Sequence, residues 1–309
     1  MTDESSKRRR MRIRLLLLFA ILLFVVCAPC FMGCPWIGRH IYCNPLTVAI
    51  IEQLGGSVEG IQISDRPCQE VVTIKLDNTA FNNAEMHRLR NLTYLERLSL
   101  NNTPVTDDGL ANLQQLTELK SLALSDTQVT SAGLDHIKGL NNLISLHLSQ
   151  TLLDDGGLQN LRELKKLRIL SLSNTQVGDA GLENLESLTD LHQLWLDDTK
   201  VGDTRLVHLR GLTKLVFLQL NNTGVGDAGL ERLRGLTNMW SLLLHNNQIT
   251  DKGLDALTQM NELRYLRLDG NQVTEVGIEN LQRALPGCQI YWKSPPRFPI
   301  TPPAPPSTH

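Results

Sequence analysis

One phrase recurs along the chain at a fixed interval, and that interval limits the folds open to it more than any other feature. LSLNNTPVTDDGL begins at Leu98, LSLSNTQVGDAGL at Leu170 and LQLNNTGVGDAGL at Leu218. The residue that opens each unit falls at Leu92, Leu116, Leu140, Leu164, Leu188, Leu212, Leu236 and Met260, so every step is 24 residues. One step back reaches Cys68, where Ile74, Leu76 and Thr79 take the places of Leu98, Leu100 and Thr103. One step forward leaves a fragment with Ile290 and Trp292 in the strand positions. The array is nine units and a stub. A period of this length means stacked units, none of which buries its apolar face alone.

Two periodicities alternate inside each unit. Leu98-Ser99-Leu100 alternates apolar and polar, as a strand does, whereas Leu110, Leu113 and Leu116 recur at helical spacing. Asp107, Asp155, Asp179, Asp203, Asp227 and Asp251 mark the helix starts, where a carboxylate caps free N–H groups and suits the helix dipole. Gly fills the Gly109 position in seven of nine units, with Glu85 and Arg205 as exceptions, so close helix packing is expected there and an irregularity at Arg205. Just after each strand stand Thr79, Thr103, Thr127, Thr151, Thr175, Thr199 and Thr223, followed by Asn247 and Asn271. The chain turns off the sheet at this point, and a side-chain hydroxyl or amide supplies partners for the freed backbone groups. This column is read as structural.

With the spacing L-x-x-L-x-L-x-x-T-x-V-x-D-x-G-L-x-x-L over about residues 68–292, the chain resembles leucine-rich-repeat proteins, bacterial members above all. The resemblance implies an α/β solenoid: an arc of about nine repeats, each with a parallel strand on the concave face and a short helix on the convex face. That family usually carries Asn or Cys where this chain has Thr. Threonine reaches less far, so a continuous amide ladder between repeats is not expected before residue 247. A looser similarity is to the substrate-recognition arcs of ubiquitin-ligase receptors, but a membrane span, not an F-box segment, is recognised ahead of the repeats.

The ends divide as follows. Residues 1–14 form a basic segment with Lys7, Arg8, Arg9, Arg10, Arg12 and Arg14. Residues 15–38 carry no charge over 24 positions, long enough for a spanning helix, and the basic flank orients it with the N-terminus in the cytoplasm. An uncleaved signal anchor in the cytoplasmic membrane, with the repeats on the far side, is the reading preferred. A signal peptide cleaved near Ala28 and a lipoprotein signal before Cys34 stay open; Pro29 and Phe31 respectively fit them poorly. Residues 39–67 read as an N-terminal cap, with a helix over about 45–54 and a short strand over about 58–63. The repeats occupy 68–283, a cap strand 284–293, and a Pro-rich disordered tail 294–309.

Composition narrows function. The net charge is −2, and the six basic residues of the first fourteen leave the remainder acidic, which disfavours nucleic acid as a partner. Six cysteines give no disulfide framework; Cys27, Cys30 and Cys34 belong to the apolar run, and a Cys43–Cys68 bridge remains open. No phosphate loop or nucleophile elbow is present. His147 and His245 lie four strands apart, roughly 19 Å, too far to share a metal. No cofactor, metal or catalytic residue is expected, and the histidines read as solvated or satisfied.

The strand register assigns faces. If Leu98 and Leu100 point to the core, Arg97, Ser99 and Asn101 point the other way. Those columns are small and polar in early units, then turn apolar at Ile169, Trp195, Phe217, Leu243 and Tyr265 on five consecutive strands. This exposed patch is the expected partner-binding surface. The function expected is non-catalytic binding of a protein or surface polymer by the concave face of a membrane-anchored arc. A structural envelope spacer is the alternative, and lateral packing or cover by the Pro-rich tail is the plainer account of the patch.

Overall fold

The strands lie side by side in chain order. The computed structural model describes residues 49, 51–53, 55–62 and 69–293. The chain divides into one unit made of Asn44–Glu59 with Val71–His309, which holds the repeats, and another made of Met1–Cys43 with Gly60–Glu70. Of the second, the described residues are the end of β1 and the start of β2. The apolar run 15–38, four of the six cysteines, Cys68 and the tail 294–309 lie outside the described residues. Among the described residues no helix is long and apolar enough to cross a membrane.

Eleven strands form one sheet: β1 (Ser57–Gln62), β2 (Gln69–Lys75), β3 (Arg97–Ser99), β4 (Ser121–Ala123), β5 (Ser145–His147), β6 (Ile169–Ser171), β7 (Gln193–Trp195), β8 (Phe217–Gln219), β9 (Ser241–Leu243), β10 (Tyr265–Arg267) and β11 (Gln289–Tyr291). From β2 to β11 every pairing is parallel, with partners 24 residues apart throughout, as in Leu98↔Leu122 and Leu170↔Leu194. Constant register keeps every central leucine on one side, because a one-residue slip would turn it outward. Leu122, Leu146, Leu170, Leu194, Leu218, Leu242 and Leu266 are fully buried against the convex-side segments. The chain is thus a leucine-rich-repeat solenoid. An all-parallel sheet normally has both faces covered; here, among the described residues, one face has no helical layer, and its outward columns are largely Ser, Asn, Asp and Gln.

The convex-side segments are short. Asp107–Leu110, Asp227–Leu233, Asp251–Leu254 and Glu275–Ala284 are α-helical, while Gly133–His136, Asp155–Leu161, Asp179–Leu185 and Leu206–Leu209 are 3₁₀. Both forms place leucines three apart on the buried side.

The aspartates act differently from expectation. Asp107, Asp155, Asp179, Asp227 and Asp251 are the first helical residues, not the caps; the N-caps are Thr106, Asp154, Gly178, Gly226 and Thr250. Each carboxylate reaches forward into the next repeat. Asp107 accepts from Thr130 N (2.8 Å), Asp155 from Gly178 N (2.6 Å), Asp179 from Gly202 N (2.8 Å), Asp203 from Gly226 N (2.6 Å), Asp227 from Thr250 N (2.8 Å) and Asp251 from Thr274 N (2.7 Å). The recurrent Gly makes room for this. A Cβ at Gly133, Gly181, Gly229, Gly253 or Gly277 would lie 2.1–2.6 Å from the preceding unit's Asp Oδ1. At Arg205, where Gly is missing, the helix starts late, at Leu206, and Arg205 itself sits outside helical geometry (φ −108°, ψ 4°).

Each threonine of the turn column donates to the carbonyl three residues back in its own repeat, for example Thr103 to Leu100 O and Thr199 to Leu196 O, both 2.6 Å. Asn247 and Asn271 also cross between repeats, to Leu220 O (2.6 Å) and Leu244 O (2.7 Å). The amide ladder starts at residue 247. Immediately before this column the backbone is left-handed in every unit: Asn78, Asn102, Asp126, Gln150, Asn174, Asp198, Asn222 and Asn246 have φ between 51° and 59°, and Gly270 has φ 78°. At the C-terminal end, Gln282 Nε2 donates to Leu285 O and Cys288 O, tying the last helix to β11. Cys288 is buried and unbridged, and burial pushes its thiol up to about 12.

Candidate functional site: the open face of the sheet

Because side chains alternate along a strand, the first and third residues of β3–β10 look away from the helices. Over β2–β5 this face is polar. A shallow depression of about 440 Å³ is lined by Thr73, Arg97, Ser99, Asn101, Ser125 and His147, among others. Its side chains bond to each other: Arg97 Nε to Thr73 Oγ1 at 3.0 Å, and Ser99 Oγ to Asp77 Oδ1 at 2.5 Å. Asn101 Oδ1 accepts Ser125 N (2.9 Å), and Asn221 Oδ1 accepts His245 N (2.8 Å), so both asparagines are engaged in holding the next strand.

From β7 onward the face changes character. Trp195, Phe217, Leu243 and Tyr265 join one apolar cluster with Val216 and Tyr291, separate from the leucine core. The Trp195 and Phe217 rings lie 5.3 Å apart at 49°, and those of Tyr265 and Tyr291 5.0 Å apart at 37°. Ile169 stays outside the cluster and partly exposed. The expectation of an exposed patch needs correction at three of its five residues: Phe217, Leu243 and Tyr265 are 5, 5 and 2% exposed. Large side chains on strands about 4.8 Å apart lean on each other and remove their own surface from water. Trp195 and Ile169 remain partly accessible.

Polar groups frame the cluster. With the Gln219 amide oxygen turned to the indole, it accepts from Trp195 Nε1 at 3.2 Å while its nitrogen donates to Asp197 Oδ2. Asp197 Oδ1 also accepts Asn221 N at 2.8 Å. Burial raises the Asp197 carboxyl to about 6 against these hydrogen bonds. On the next strands Arg267 holds Asp269 through two bonds (2.6 and 3.1 Å), and His245 Nδ1 lies 2.5 Å from Asp269 Oδ2. Burial lowers the pKa of His147, whose ring stands 6.4 Å from that of Trp195. Two hydroxyls in the patch, Ser241 Oγ and Tyr265 Oη, are buried with no hydrogen-bond partner among the described residues. Sequence reading missed them because the register neighbours Ser241 and Tyr265 differ in size and become buried together only through packing. Among the described residues no three His, Cys, Asp or Glu side chains converge as a metal site would require.

The comparisons agree with this architecture. The Leucine Rich repeat family model matches residues 163–185 and 237–257. Internalin C2 from Listeria monocytogenes is structurally similar (TM-score 0.55, 28% identity), over 67% of this chain and 83% of that one. A leucine-rich-repeat protein of Leptospira interrogans shares the fold (TM-score 0.54, 24% identity), over 66% of this chain and 56% of that one. No match is found among curated proteins. The chain has the fold of a leucine-rich-repeat solenoid and is similar to these two bacterial structures.

Proposed function

We propose that this chain is a membrane-anchored, non-catalytic recognition module that engages a protein or surface polymer through the concave, open face of its sheet. The observation that carries the reading is Trp195: a partly exposed indole held by Gln219 at the rim of an apolar cluster, with the partly exposed Ile169 on the neighbouring strand, two residues before Ser171, the register partner of Trp195. An aromatic anchor of this kind is favoured at binding hot spots. The face is preformed by ten strands, β2 to β11, in fixed register, so contact with a partner orders little and loses little entropy. Anchoring is supported by the basic cluster Lys7–Arg14 ahead of 24 uncharged residues. Its consequence is a repeat domain on the outer side of the cytoplasmic membrane.

The test is partner capture by the full chain and by its Trp195→Ser and Ile169→Ser variants, with thermal unfolding as the folding control. Capture should fall at least tenfold with an unchanged midpoint, since a hot-spot aromatic contributes about 2 kcal/mol or more. Equal capture by all three would remove the open face as the contact surface. Proximity labelling from a tag at His309 on intact cells should mark outer-side neighbours; cytoplasmic labelling would overturn the placement.

A further inference from the structure

Trp195 closes β7 and Asp197 follows two residues later, so both side chains face the open side, roughly 7 Å apart along the chain. Gln219 ties them together: its oxygen takes the indole N–H and its nitrogen holds Asp197 Oδ2. The residues beside them in the preceding repeat, Ser171 and Ser173, are small and partly exposed, which leaves this flank open. Neither ring next to the indole stacks flat on it: Phe217 is inclined at 49° and His147 at 43°. The indole keeps part of its surface in water.

The Asp197 carboxylate has hydrogen bonds but no counter-charge. Asn221 N and the Gln219 amide donate to it. The cations of the following repeats are committed elsewhere, Arg267 and His245 both to Asp269, and among the described residues no ion pair reaches Asp197. We infer that this place receives an arginine side chain of a partner protein, its guanidinium laid on the Trp195 indole and its N–H groups donating to the Asp197 carboxylate. Each carboxylate oxygen has two lone pairs and uses one of them here, so acceptors remain. A planar guanidinium stacks on an aromatic face and offers a fork of donors, which a lysine ammonium does not. Charge agrees: the chain sums to −2 although six basic residues stand in its first fourteen, so the repeats are acidic and complement a basic surface. The inference rests on the recognition reading and names the chemistry that Trp195 selects.

A pH signature follows. Burial holds the Asp197 carboxyl at about 6 in the free protein, and a docked guanidinium favours its ionised form. Affinity should therefore rise with pH, by about tenfold between pH 5 and pH 7. The other charged or titratable groups around the site are the exposed Asp198, the Arg267–Asp269 pair, His245 and His147. Of these, the two histidines could imitate the effect, by repelling a cation once protonated; burial lowers the pKa of His147. His147→Gln and His245→Gln should each keep the pH step, and Asp197→Asn should abolish it.

The experiment incorporates fluorotryptophan into the full chain and follows the Trp195 fluorine resonance, assigned with Trp195→Phe, as N-acetyl-arginine amide is added at constant ionic strength. A saturable shift is expected. Asp197→Asn, with its thermal midpoint as the folding control, should weaken binding about tenfold at pH 7. N-acetyl-citrulline amide, which has nearly the same shape without the charge, should leave the resonance in place, and N-acetyl-lysine amide should bind more weakly than the arginine probe. No saturable shift, or equal shifts with citrulline, would overturn the site. Lysine or tetramethylammonium binding as tightly as arginine would overturn the assignment of a guanidinium, and a pH step that survives Asp197→Asn would overturn the role of the carboxylate. Failure is separable from that of the recognition reading. Loss of partner capture in Trp195→Ser without any arginine binding leaves recognition standing, and arginine binding with capture indifferent to Trp195 does the reverse.

Discussion

At the scale of single residues, the strictest demand is conformational. Eight non-glycine residues hold a left-handed backbone just before the turn column, and seven are Asn or Asp, whose short polar side chains tolerate it. Gln150 is the misfit, exposed and with φ 58°. Gln150→Gly should raise stability by about 1 kcal/mol and Gln150→Asn by about half of that, read as a shift in urea midpoint at constant slope. A destabilised Gly variant would show that the Gln150 side chain does something its surroundings do not reveal. A second residue-scale effect is electrostatic. The folded-state pKa of Asp197, about 6, lies above that of an ordinary carboxyl because burial disfavours its charge. The folded protein therefore holds this proton more tightly than the unfolded chain. The stabilisation it brings is complete below the unfolded pKa and lost as pH rises through about 6. Asp197→Asn retains the Oδ1 acceptor for Asn221 N, the role Asn101 already plays for Ser125. It gives up the Gln219 donor contact, so the net gain should be about 1 kcal/mol at pH 8 and none at pH 4. Equal effects at both pH values would contradict the assigned cause.

At the scale of elements, the recurring pair of Asp and Gly is one device spread over two repeats. Asp227 bonds Thr250 N and Thr250 Oγ1, and the three atoms nearest a Cβ at Gly253 would all be its own: Oδ1 at 2.4 Å, Cα and Cγ at 3.1 Å. Gly253→Ala should cost about 2 kcal/mol by overpacking, and Asp227→Ala about 1–3 kcal/mol through its lost bonds. The double variant should fall short of the sum by about 1 kcal/mol, because removing the carboxylate vacates the space that the new methyl needs. Strict additivity would deny the link. Gly139→Ala, with nothing within 4 Å, serves as the neutral control. The sequence shows that Asp and Gly recur, and that Arg205 departs from the pattern. It does not show that the carboxylate points forward, because N-cap and N1 positions differ by one residue and both favour acids. Nor does it separate α from 3₁₀ segments, since leucines three apart serve either.

At the scale of the whole molecule, strand order, parallel pairing and the 24-residue register were legible because each follows from the period alone. The state of the open face was not. Its columns identify Trp195, Phe217, Leu243 and Tyr265, but their burial depends on how rings from neighbouring strands lean together. The same one-dimensional build also governs how the protein comes apart. Stability in such arrays is close to a sum of unit terms and nearest-neighbour interfaces. Leu194 on β7 is fully buried between Leu170 and Leu218, near the middle of the array. Leu194→Ala should cost about 3–5 kcal/mol by leaving a cavity that the flanking repeats fill only in part. The loss falls on interfaces that join the two halves, so cooperativity should suffer as well as stability. Hydrogen exchange across a urea series should then give separate midpoints for peptides from 95–150 and from 217–285, where the unaltered chain gives one. Trp195→Ser, one residue away but on the open face, should leave the midpoints together. A Leu194→Ala protein that still unfolds in a single step would mean that coupling spreads beyond adjacent repeats, and the nearest-neighbour description of this solenoid would have to be abandoned.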